Sequence, residues 1–165
     1  MPQEPDQQPR QRRIFLDKSD PAAFAALREV GQTVRESALA AGLSPGLLEL
    51  INIRVSQINR CAYCLRLHTK AARELGESAE RLDVLPAWRD TELFSPKERA
   101  ALAVAENVAG VPASEFPGGW DPVADGSLTP EEFSAVNWAA ITIGAFNRIS
   151  VVSRHPVRAA KKAGA

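Results

Sequence analysis

Apolar and polar positions follow one another along this chain with the period of a helix. The clearest stretch runs from Cys61 to Leu75. On a wheel of about 100° per residue, Cys61, Cys64, Leu65, His68, Ala71, Ala72 and Leu75 share one arc, and Arg66, Lys70 and Arg73 lie opposite. The preceding stretch is apolar over most of its circumference, with Leu47, Leu48, Leu50, Ile51, Ile53, Val55 and Ile58. Glu49 shares an arc there with Asn52 and Ser56. No turn sits between two alternating apolar runs, which a β-hairpin would require.

The punctuation agrees. A capping residue followed by proline recurs at Asp20-Pro21, Ser44-Pro45, Ser95-Pro96 and Thr129-Pro130. The side-chain oxygen can satisfy a free N–H of the first turn, and proline at the first helical position loses no hydrogen bond. Ser95 with Glu98 and Thr129 with Glu132 complete capping boxes. An all-α fold is therefore expected. Its helices are predicted over 21–41, 45–59, 61–76, 79–88, 96–109 and 130–153, with Gly42, Gly76 and Gly110 as stops. Residues 110–128 form one long loop. Residues 1–13 are polar and are predicted to be a disordered tail. The domain is predicted over 14–157, and 158–165 is read as a basic, frayed end.

Composition narrows the class. The chain has 165 residues, 45% of them hydrophobic, enough for one domain with a real core. Twenty Lys and Arg balance twenty Asp and Glu, so nothing in the global charge calls for nucleic acid or an anionic membrane. Two cysteines are too few for a disulfide-stapled secreted scaffold. No apolar stretch is expected to reach the length of a membrane span, and the N-terminus lacks the apolar segment of a secretory signal. The expected compartment is the cytoplasm.

The candidate chemistry lies in the Cys61 to Leu75 arc, where both cysteines share an apolar face with His68. Residues three apart on a helix lie within the Cα separation that a disulfide spans. Helical side chains lean toward the N-terminus, so His68 leans onto Cys64 one turn earlier. An imidazole beside a thiol can take its proton, and a helix start also favours a thiolate. The His contact points to Cys64 as the reactive sulfur; the helix-terminus argument points to Cys61. A thiolate next to a second cysteine can reduce peroxide through a sulfenic acid and then a disulfide. The same residues could supply three metal ligands, but no further Cys or His is placed to close a structural zinc site. Periodicity alone leaves Glu49 as a solvated carboxylate.

Glu49, Cys61, Cys64 and His68, spaced E-x11-C-x2-C-x3-H within ELINIRVSQINRCAYCLRLHTKAAREL, resemble the AhpD-like alkylhydroperoxidases of the carboxymuconolactone decarboxylase superfamily. LPAWRDTELFSPKERAALAVAENVA and the Asn137-Trp138 and Phe146-Asn147-Arg148 segments look like the same subgroup. The likeness covers roughly residues 15–155. It implies an AhpD-like helical bundle forming a homo-oligomer and a thiol peroxidase activity. It also implies a Glu49–His68 proton relay that activates Cys64, with Cys61 resolving the sulfenic acid. The implied partners are a hydroperoxide and an external dithiol reductant, protein-borne or lipoyl-type, with no metal or organic cofactor. Some members carry a second His between the cysteines; here Tyr63 stands there, and the wheel points it away from the thiols.

Two other functions fit the pattern. A lactone decarboxylase would not need the dithiol. A redox carrier or sensor would exchange it with a partner without turning over peroxide. His155 is expected at the surface, and Trp88, Trp120 and Trp138 in packing or subunit contacts. Arg54, Arg60 and Arg148 could meet an anionic substrate or pair across subunits, against the plain alternative of surface ion pairs. The apolar circumference of 47–58 is itself a motive for burial against a second copy.

Overall fold

A computed structural model describes residues 13–110 and 116–158. The two expected tails lie outside the described residues except for Arg13 and Arg158. Among the described residues, seven α-helices follow one another: α1 (Leu16–Ser19), α2 (Pro21–Ala40), α3 (Pro45–Ile58), α4 (Ala62–Glu74), α5 (Ala79–Val84), α6 (Pro96–Ala109) and α7 (Pro130–Ser153). Short 3-10 turns cover Leu85–Asp90 and Pro117–Gly119, and no strand occurs among the described residues.

The start signals act as the sequence suggests. Asp20, Ser44, Ser95 and Thr129 each accept a backbone N–H from the third residue beyond, with proline inside the first turn. Both capping boxes close: Glu98 accepts from the Ser95 amide at 2.8 Å and Glu132 from the Thr129 amide at 2.9 Å. Each cap replaced by alanine costs about 1 kcal/mol.

Helix α3 is the centre of the molecule. It packs against α4, α6 and α7, and also touches α2 and the Leu85–Asp90 turn. Leu47, Leu48, Ile51 and Val55 join a core with α6 and α7, while Leu50 and Ile53 join a second one with Leu82, Leu85, Trp88 and Leu102. The all-round apolar pattern of α3 is thus satisfied inside one chain. It gives no motive for a second copy, contrary to the sequence argument. Among the described residues, α7 carries exposed apolar side chains at Trp138, Ile141 and Val152.

Helix α7 also corrects the membrane expectation, for it is long and apolar enough by composition to cross a bilayer. Half of its most apolar window is buried in the protein. It packs on α2, α3 and α6 and carries buried Glu132, Thr142, Asn147, Ser150 and Ser153, the pattern of a core helix.

The link from α3 to α4 positions the cysteines. Asn59 ends α3, and Arg60 takes a left-handed conformation with φ 54°. The Cys61 amide returns to the Ser56 carbonyl at 3.0 Å. Asn147 of α7, fully buried, donates to Ser56 Oγ at 3.0 Å and accepts from the Asn59 side-chain Nδ2 at 3.0 Å. The turn is therefore bolted to the longest helix. The described part of the 110–128 loop packs Phe116 and Trp120 against the α3–α6–α7 core.

Candidate active site

Cys61 caps α4 rather than starting it. The Cys64 amide donates to Cys61 Sγ at 3.3 Å. The wheel had treated both cysteines as helical; the left-handed Arg60 instead brings the chain in one residue outside the helix. The two are joined as a disulfide, with Cα atoms 5.3 Å apart. Both are buried.

Glu49 is 6% exposed, which overturns the surface carboxylate that periodicity suggested. At Glu49 the polar arc of α3 meets α2 and α4, and at Ser56 it meets α7. His68 of α4 holds its Nδ1 at 2.7 Å from Glu49 Oε2. Arg35 of α2 sets Nη1 at 3.5 Å from the other carboxylate oxygen. The wheel could not find Arg35, because only the packing of α2 on the α3–α7 layer brings it there.

A cleft of about 1050 Å³ opens on this cluster. Arg35, Glu49, Cys64 and His68 line it, with apolar walls from Phe24, Leu48, Ile143 and Phe146. Cys61 does not line it. The structure therefore brings Glu49, Cys64 and His68 together and keeps Cys61 behind Cys64. Among the described residues, no group of three or more His, Cys, Asp or Glu side chains is placed to hold a metal ion.

The edge of the cleft holds two further surprises. Tyr63, expected to point away, lines the cleft and packs on the His155 ring at 5.3 Å. His155, expected at the surface, has a side chain only 14% exposed. Its Nε2 lies 3.0 Å from Asp17 Oδ1 and its Nδ1 3.1 Å from Ser150 Oγ. Burial pushes the Asp17 carboxyl up, but the bonds to Lys18 and His155 outweigh it and hold it below its ordinary value. The partner lies 138 positions away in the chain, so no local signal marks His155.

None of Arg54, Arg60 and Arg148 lines the cleft. Arg54 pairs with Glu106 at 2.6 Å, and Arg148 donates to the Gly144 carbonyl at 3.0 Å. Trp88 and Trp120 are packing residues, while Trp138 is half exposed.

Residues 21–107 match the carboxymuconolactone decarboxylase family. The chain belongs to that family. Within it the chain is AhpD-like. It is similar to YdfG of Bacillus subtilis, an uncharacterized protein, at 36% identity over 69% of this chain and 76% of that one. YnjA of Escherichia coli, also uncharacterized, is 31% identical over 42% of this chain and 38% of its own length. The crystal structure of ATU0492 from Agrobacterium tumefaciens superposes with a TM-score of 0.72 at 29% identity, covering 88% of this chain and 99% of that one. ATU0492 is described as a protein of unknown function and a candidate antioxidant defence protein AhpD. This AhpD-like chain shares with it an all-helical architecture.

Proposed function

We propose that this AhpD-like protein is a thiol peroxidase that reduces alkyl hydroperoxides or hydrogen peroxide. The observation that carries the reading is the 2.7 Å Glu49–His68 pair in the cleft that Cys64 lines. In the cycle, His68 backed by Glu49 takes the Cys64 proton. The thiolate attacks one peroxide oxygen and becomes a sulfenic acid as an alcohol or water leaves. Cys61 condenses with it, releasing water and forming the disulfide. An external dithiol then restores the pair through a mixed disulfide. The chemistry draws on these side chains and on no metal or organic cofactor.

The protein works as a homo-oligomer in this reading. The half-exposed Trp138, Ile141 and Val152 on α7 supply a face for a second copy. Its place is the cytoplasm, where dithiol reductants are held reduced.

The test is the intact mass of the reduced protein before and after one equivalent of cumene hydroperoxide. Loss of two hydrogens within seconds is expected, with a sulfenic acid trapped in Cys61→Ser and none in Cys64→Ser. An unchanged mass over minutes overturns the reading and turns attention to lactone substrates and disulfide exchange.

A further inference from the structure

Arg35 is the cationic group of the cleft that lies against Glu49, and it has donors to spare. Its one recorded partner among the described residues is Glu49, through Nη1 at 3.5 Å. That contact is an ion pair without a hydrogen bond, so the N–H donors of the guanidinium remain open. The side chain is 42% exposed and lines the cleft together with Cys64 and His68. A guanidinium with open donors in the same cleft as a nucleophile is suited to hold a pair of oxygens and to stabilise negative charge that develops on one of them.

We infer that Arg35 is a catalytic residue: it binds the peroxide O–O group and stabilises the departing alkoxide as Cys64 attacks. The inference rests on the peroxidase reading above and deepens it. The step balances as follows. The Cys64 thiolate donates an electron pair to the terminal oxygen of ROOH, forming the S–O bond. The O–O bond breaks, and RO⁻ departs against Arg35. His68, carrying the proton it took from Cys64, returns that proton to RO⁻. The products are Cys64–SOH and ROH, so sulfur is oxidised, the peroxide is reduced, and the proton count is unchanged. Glu49 holds Arg35 and His68 on its two carboxylate oxygens and so sets charge stabiliser and proton carrier side by side.

A purely structural Arg35, one that only supports Glu49, would act on thiolate formation and on nothing later. Two rates separate these roles. Both are measured in Cys61→Ser, where the first step stands alone and serine remains a good helix cap. One is Cys64 oxidation by cumene hydroperoxide; the other is Cys64 alkylation by iodoacetamide, which needs the thiolate but releases no alkoxide. Arg35→Met in this background is expected to slow oxidation about 30-fold or more and to leave alkylation within about twofold. Arg35→Gln serves the same comparison where methionine at this half-exposed site lowers solubility. An oxidation rate equal to that of the parent overturns the inference, as does an equal fall in both rates. Failure of the peroxidase reading shows earlier and differently: the parent Cys61→Ser itself reacts with peroxide no faster than a free thiol, and the inference falls with it.

Discussion

Glu49 and Glu106 are two carboxylates set into the same small fold, with side chains 8% and 14% exposed. Glu106 on α6 is saturated. Arg54 Nε reaches it at 2.6 Å, Trp88 Nε1 at 3.0 Å, and Arg89 closes the other oxygen. Burial pushes the Glu106 carboxyl up, but those donors outweigh it and hold it below the usual range. Glu49 on α3 meets one imidazole at 2.7 Å and one arginine at 3.5 Å, and it faces a cleft. The difference lies in the partners. Arginine and indole donors do not change protonation near neutral pH, so Glu106 is a strut. An imidazole nitrogen can either take or give a proton, so in the proposed cycle Glu49 shares in moving one. Burial of a carboxylate is thus no mark of chemistry unless a group beside it can carry a proton.

The largest expected effect tests the chemical half of that contrast. Glu49→Gln should slow Cys64 oxidation by peroxide about 100-fold, the lower range for loss of positioned acid–base help. Stopped-flow oxidation of Cys61→Ser with and without the change measures it. A rate within a factor of two of the parent would place Glu49 with Glu106 among the struts.

Glu106→Gln should do the opposite, leaving oxidation unchanged and costing about 2 kcal/mol of stability, as loss of hydrogen bonds to a charged group does. Urea unfolding at neutral pH reads this. The pH dependence follows from the lowered folded value. Above the ordinary carboxylate range, near about 4.3, Glu106 is ionised folded and unfolded, and its full contribution is present. As pH falls through the depressed folded value, the folded carboxylate takes up a proton and the contribution is lost. The deficit of Glu106→Gln should therefore shrink on acidification. A deficit that holds constant to about pH 3 would show that shape, not charge, accounts for it.

The smallest effect calibrates the scale. Ser95→Ala opens a capping box remote from the cleft and should cost about 1 kcal/mol by the same unfolding measurement, with no change in oxidation.

Local rules made much of this fold legible. Caps and prolines act at a distance of three residues, and the structure starts α2, α3, α6 and α7 where they predict. The nearness of Cys64 and His68 was legible for the same reason: both belong to one helix, with Cys61 at its cap. Other features depend on which helices meet. Glu49 looked solvated because a wheel knows only its own helix, and α3 turned out to be enclosed by its neighbours except where the cleft opens on it. The same enclosure removed the argument for a second copy that its apolar circumference had suggested. Arg35 and the Asp17–His155 pair are tertiary facts with no periodic trace. Cys61 stepped out of the helix because Arg60 adopts a left-handed turn, which an arginine seldom does without tertiary support from groups such as Asn147.

The capping position of Cys61 has a consequence for traffic. A pair of sulfurs with one member sealed behind its own helix turn is a berth with a single mooring. In the proposed cycle, oxidant and reductant must use that mooring in turn, since Cys64 alone faces the cleft. The two visitors cannot be aboard together, and a crowd of either keeps the other waiting. The timetable of the reaction is written into where one residue stops being helix.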